Sequence, residues 1–345
     1  MPYAFSEIWP LCDKLADDKS WKSPHVRYLC ALCSELTYYH VPQFEIDNAK
    51  RAKRVPCNAY QRIVVSGKST NIERITTYVD VPIAFIVVER SCIAIGLRVR
   101  EYLFIAFRGT SLMYDWFKNL MAWKTRFISG VPHVFIDLAS FPWPVLSIDT
   151  QGTCHRGFLE EASRVALRLI DEMSALQSKP KHIFVTGHSM GGAIAALCEH
   201  ILARHLPNFF KFDQNHRADA SNVTKVIFGS PRYGDIALYM RLNFNYPAHV
   251  RYQENQKEDI VPYFPPKLLG YCDHILEIGI DGERTFASFH LMEKWRRYLL
   301  ILDFVRRKFS FHSIETYRKA IGRNVKAKYW MEPLIDAKKI TLKNI

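Results

Sequence analysis

Residues 183–200 read IFVTGHSMGGAIAALCEH. An apolar, β-branched run from His182 to Thr186 enters Gly187-His188-Ser189-Met190-Gly191, and from Gly191 to His205 a helical period follows, carried by Ala195, Leu197, Cys198, Ile201 and Leu202. Strand, G-x-S-x-G and helix in that order predict a sharp turn that strains the serine backbone and lifts its hydroxyl clear of the surface. Small residues two positions to either side are required because strand and helix pass close together there. The same turn puts Ser189 at a helix N-terminus, where backbone N–H groups stabilise a developing oxyanion. A glycine-rich turn with an idle serine would share the five residues; the flanking strand and helix favour the nucleophile. The side chain of His188 is expected to point away from the hydroxyl and to pack.

Working outward, residues 63–110 carry short β-branched and aromatic runs, AFIVVE, CIAIGLRV and EYLFIAF, broken by Gly and charged turns. They predict an antiparallel opening to a sheet. Strands are expected again at Val223–Phe228, His249–Tyr252 and Asp273–Ile280, with helices between them. This alternation predicts an α/β fold with a mostly parallel central sheet flanked by helices. Residues 131–150, rich in Pro and bulky apolar side chains, are expected to form a long excursion. The domain expectation is a helical N-terminal extension at 1–62, an α/β unit at 63–305 and a basic helical C-terminal extension at 306–345.

Composition narrows the classes. At 345 residues and 48% hydrophobic the chain has the apolar content of a folded globular protein, which excludes disorder and collagen-like sequence. No apolar run reaches the ~18 residues of a membrane-spanning helix. The first residues, MPYAFSEIWPLCDKLADD, lack the basic and apolar regions of a secretory signal, so synthesis in the cytoplasm is expected, with leaderless export or peripheral membrane association left open. Eight cysteines, Cys30-x-x-Cys33 among them, are expected to be reduced, and that pair to be buried packing on a helix. The net charge is +13, and residues 306–345 hold eleven Lys/Arg against three Asp/Glu. A solvated helical extension is the first expectation for that tail and contact with an anionic lipid surface the second; nucleic-acid binding is not expected, because no recognition motif accompanies the charge. Ser66-Gly67-Lys68-Ser69 imitates a phosphate loop, but that motif needs Gly where Arg62 stands. No spacing suits a metal, and the chemistry needs no cofactor.

A serine nucleophile needs an imidazole base, oriented by a buried carboxylate. In folds of this type the chain order is Ser, acid, His. Asp259, in QKEDIVPYFPP, fits the acid; Asp235 is its rival and Glu258 a weaker one. His274, His290 and His312 follow Asp259. His274 opens a strand and His312 lies in the basic tail, which leaves His290, at the loop-to-helix junction TFASFHLMEKW, as the expected base.

Six ordered stretches, FIAFRGTSLMYDWFKNL, CHRGFLE, VTGHSMGGAIA, VIFGSPRYGD, DIVPYFPP and FHLMEKW, resemble the class 3 (fungal-type) lipases of the α/β-hydrolase fold over roughly residues 75–300. The resemblance implies a serine hydrolase acting on carboxylic esters of lipids, of lipase or phospholipase A type. It implies Ser189 as nucleophile, Asp259 as acid, His290 as base, and Thr110 and Met190 as oxyanion donors. His155 matches a family His near the site that is outside the triad. A small lid is expected just past Thr110, where Met113, Trp116, Phe117 and Leu120 form an apolar face at helical spacing. The disulfides and secretion signal of secreted relatives are absent, which favours an enzyme of membrane lipids. The alternative is a catalytically silent protein that binds a lipid or partner on the same fold.

Overall fold

A computed structural model of the chain describes residues 3–18, 23–39, 81–89, 92–110, 124–126, 152–210, 222–245, 250–256, 259–274, 277–280 and 312–335. Strands β1 (Ile83–Glu89), β2 (Cys92–Val99) and β3 (Tyr102–Phe107) pair antiparallel as the sheet opens. From β3 the ladder turns parallel, through β6 (His182–His188), β7 (Val223–Phe228), β8 (Val250–Asn255) and β9 (Glu277–Gly279), giving the order β1-β2-β3-β6-β7-β8-β9. A separate ribbon joins β4 (Lys124–Arg126) to β5 (Thr153–His155). The mostly parallel sheet has helices on both faces, as the strand–helix alternation predicts. Two expected strands differ in extent: the third continues past Tyr252 to Asn255, and the last is described as a strand over Glu277–Gly279.

Side chains alternate across a strand, so each central strand feeds two cores. Leu103, Ile105, Phe107, Ile183 and Val185 face helices α3 (Arg156–Ser174) and α4 (Met190–His205). Tyr102, Phe104, Ala106, Phe184, Val226 and Phe228 face α2 (Pro24–Leu36) and the last described helix, which follows α5 (Ile236–Asn245) and is here α6 (Ile314–Asn324). All seven residues of β6 are buried, as a strand covered on both faces requires.

The two ends of the chain are not outlying additions. α2 lies on the sheet behind α1 (Ile8–Asp18), and Cys30 and Cys33 are fully buried in its contact face. α6, expected in a solvated tail, buries Ile314, Tyr317 and Ile321 in the same core. Each such side chain stabilises by roughly 1.5–3 kcal/mol relative to exposure, which outweighs the solvation preference of the lysines around it. Arg318, fully buried, donates to Glu35 of α2 and to the carbonyls of Trp330 and Glu332. Ala4 and Phe5 N–H groups donate to Pro333 and Leu334 carbonyls, binding the two ends to each other. The seven cysteines among the described residues are free thiols, and burial raises the pKa of Cys30 and Cys33. No helix among the described residues is long and apolar enough to cross a membrane. The expected lid (Met113, Trp116, Phe117, Leu120), the 131–150 excursion and the Ser66–Ser69 stretch lie outside the described residues.

Candidate active site

Ser189 takes φ 59° and ψ −133°, a strained conformation for a residue with a side chain, between the end of β6 and the start of α4. The glycines around it are required sterically: a Cβ on Gly187 would fall 2.4 Å from the Gly191 carbonyl oxygen. Its N–H donates to the Phe228 carbonyl at 2.9 Å, which locks the turn to the neighbouring strand. His188, Phe228 and Glu254 stand side by side at the ends of β6, β7 and β8. The residues that follow them therefore gather at one edge of the sheet.

Asp259 lies in the turn after β8 and is 1% exposed. Its Oδ1 accepts the Val261 N–H at 2.9 Å. Its Oδ2 sits 2.7 Å from His312 Nδ1 and accepts the Tyr317 hydroxyl, also at 2.7 Å. Three partners thus fix the carboxylate and direct it at one imidazole. Tyr317 in turn accepts the Gln256 N–H, and burial followed by the charge of Asp259 pushes its phenol well above the ordinary range. Gly229 makes the approach possible: a Cβ there would fall 2.5 Å from Asp259 Oδ2 and 3.2 Å from His312 Nδ1, and its φ of +50° suits glycine.

Among the described residues the histidine on Asp259 is His312, which precedes α6; the expected His290 lies outside the described residues. His312 is 4% exposed, and its Nε2 has no hydrogen-bond partner among the described residues. With Nδ1 held by a carboxylate, Nε2 is the atom left to exchange a proton. Exclusion of His312 rested on the local charge of the tail, whereas α6 carries it into the core. A usable signal was present in the sequence: Ile314, Tyr317 and Ile321 recur at helical spacing directly after it.

His188 packs, as expected, and it does so on His312. Its ring lies 4.5 Å from that of His312, and its Nδ1 is 2.7 Å from the Tyr38 hydroxyl. Burial, then the neighbouring His312, holds its pKa well below the ordinary imidazole value, so it stays neutral beside that ring. No sequence signal singled out Tyr38.

Thr110 follows β3, and its hydroxyl donates to the Met190 thioether at 3.3 Å, bringing the two expected oxyanion residues into contact beside Ser189. Sulfur is a weak acceptor, so the hydroxyl can leave it for a stronger one. The rival acid Asp235 is committed elsewhere: Oδ2 accepts the N–H and hydroxyl of Thr153, and Oδ1 accepts Leu238 N–H at the start of α5. Glu258 is outside the described residues. His274 packs against Tyr233 and Tyr239, and His155 caps α3 by accepting the Phe158 N–H. No group of three or more His, Cys, Asp or Glu side chains that could hold a metal occurs among the described residues.

Residues 104–269 match the family described as lipase (class 3). A lipase of Rhizomucor miehei is 26% identical over 246 residues, covering 69% of this chain and 55% of that protein. Phospholipase A1-II 2 of Oryza sativa subsp. indica is 28% identical over 200 residues, covering 53% of this chain and 45% of its own length. The chain thus spans about half the length of these two relatives. The crystal structure of a lipase from Rhizopus microsporus var. chinensis shares 21% identity with a TM-score of 0.45, over 71% of this chain and 78% of the other.

Proposed function

The chain carries a class 3 lipase region over residues 104–269, and on that premise we propose that it is a serine hydrolase cleaving carboxylic esters of lipids through an acyl-enzyme. The observation that carries the proposal is the 2.7 Å contact from His312 Nδ1 to Asp259 Oδ2, made at the sheet edge where the strained Ser189 stands. His312 Nε2 accepts the Ser189 proton as Oγ attacks the ester carbonyl. Asp259 holds the imidazole in the tautomer that makes this possible and stabilises the imidazolium that forms. The oxyanion meets backbone N–H groups of Met190 and Thr110, with the Thr110 hydroxyl turning to it from sulfur. His312 then returns the proton to the departing alcohol, and water releases the acyl group by the same steps in reverse.

The substrate class is a lipid carrying an acyl ester; glycerides and phospholipids both supply one, and the relatives bear the names of both kinds of enzyme. A fluorophosphonate followed by peptide mapping tests the reading: labelling at Ser189, lost in Ser189→Ala, is the expected result. An unlabelled, folded chain would make it a binding protein on a hydrolase fold. Product identification from a mixed panel of glycerides and phospholipids then assigns the headgroup.

A further inference from the structure

The segment 229–235 leaves β7 at the edge where Ser189 stands, and turns after β8 lie against it: Arg232 N–H donates to Phe264 O at 2.7 Å and Cys272 N–H to Gly234 O at 3.0 Å. One of them, Lys267–Leu269, is a single 3₁₀ turn closed by Gly270 at φ 78°. At its tip Leu268 is 99% exposed and Leu269 52%; nearby, two residues past Gly234, α5 begins with the exposed Ile236 and carries Met240 one turn further. Lone surface leucines need no explanation, but adjacent leucines at a turn tip hold apolar area in water that an ordinary solvated turn would fill with polar residues.

The turn is well braced. The guanidinium of Arg232 reaches both Pro265 O and Asp273, and Cys272 N–H donates to Gly234 O at 3.0 Å. Lys267 is the most exposed charge of the segment 259–274. Lys267 pairs with Asp273, yet the lysine is 47% exposed and the aspartate 8%; Lys124 lies over the Tyr271 ring at 4.7 Å. A rigid apolar tip with cations facing water beside it complements an anionic lipid surface, in which leucines enter the acyl region and ammonium groups stay among the headgroups.

We propose that Leu268 and Leu269 form a wedge that inserts into an anionic lipid surface and sets the Ser189 edge of the sheet against it. The role rests on the lipid-ester reading, but the binding is tested without turnover. Full-length Ser189→Ala protein is mixed with vesicles of phosphatidylcholine alone or with phosphatidylglycerol, and the bound fraction is compared with that of the same chain carrying Leu268→Ser and Leu269→Ser. Partitioning onto the mixed vesicles should fall about tenfold or more at unchanged melting temperature. The unmutated tip should favour phosphatidylglycerol, with the preference shrinking as salt rises. Equal partitioning of the two chains overturns the proposal. So does a sedimentation shift from dimer to monomer in the double variant with vesicle binding intact, since the tip would then join two copies. In the active chain, the double variant should hydrolyse a short soluble ester within about twofold of the parent. A parent that binds vesicles but never hydrolyses that ester would sink the hydrolase reading and leave the wedge standing.

Discussion

Two parts of the molecule build the site by different means. Ser189 and Asp259 are held by the ladder: β6, β7 and β8 run side by side, and their ends fix the elbow and the acid turn through backbone bonds such as Ser189 N–H to Phe228 O. The proposed base is held by side chains. His312 stands before α6, and that helix is seated by Arg318 on Glu35, by Tyr317 on Asp259 and by apolar contact with α2. Backbone ladders tolerate the loss of one side chain, whereas a buried ion pair that loses one partner leaves a charge without compensation. The strand half should be robust and the clamp half fragile.

The largest expected effect tests whether the clamp half belongs to the site at all. His312→Ala should lower kcat about 10⁴–10⁶-fold, comparable to Ser189→Ala, because the members of such a unit fail together. His290→Ala should stay within about twofold of the parent in the same ester assay. The opposite pattern would return the base to the 281–311 stretch and dissolve the comparison.

Arg318→Ala should cost about 3–5 kcal/mol of stability, since it strands the carboxylate of Glu35 in the core. Denaturant melts read it. A variant as stable as the parent would mean that apolar contact alone seats α6. On the strand side, Thr110→Val removes the hydroxyl and keeps both shape and backbone N–H. It should cost about 2–4 kcal/mol of transition-state stabilisation, seen in kcat rather than KM, at unchanged melting temperature. An unchanged kcat would confine the Thr110 contribution to its N–H.

The smallest effect is a pH dependence within the strand half. Burial, and then Asp273, push the carboxyl of Glu277 on β9 from 4.5 to about 8. Between these values the folded state keeps a proton that the unfolded chain releases, so stability falls as pH rises from about 4.5 to 8. Glu277→Gln, which stays neutral, should remove part of that slope, raising the melting temperature by a few degrees at pH 8 and little at pH 5. Identical slopes in the two proteins would show that Glu277 is charged at neutral pH.

The same division explains what could be read from the chain. β1 to β3, β6, β7, α4 and the elbow are local patterns, each written in a period of two or of 3.6 with a glycine where the backbone must turn, and they were legible. Asp259, the proposed acid, could be offered from the sequence because it follows a strand, whereas the three hydrogen bonds that occupy Asp235 around Thr153 and Leu238 are visible only in the structure. The base was not legible, because its position comes from contacts such as Arg318 with Glu35, 283 residues apart. Local charge counting assigned that arginine to solvent, although a buried partner waited near the other end of the chain.

That clamp has a bearing on how the protein is made. Synthesis runs from residue 1 upward, so the elbow and the acid turn leave the ribosome well before His312 does. The helix after His312 is tied down by the hydrogen bonds of Ala4 and Phe5 to Pro333 and Leu334 and by that of Arg318 to Glu35, all made late in synthesis. On the proposed mechanism a growing chain therefore displays its serine without a base, and reactivity toward esters begins only after residue 312 and the helix that follows it have been made. A nascent chain stalled before residue 312 should accordingly resist the fluorophosphonate that labels the finished protein.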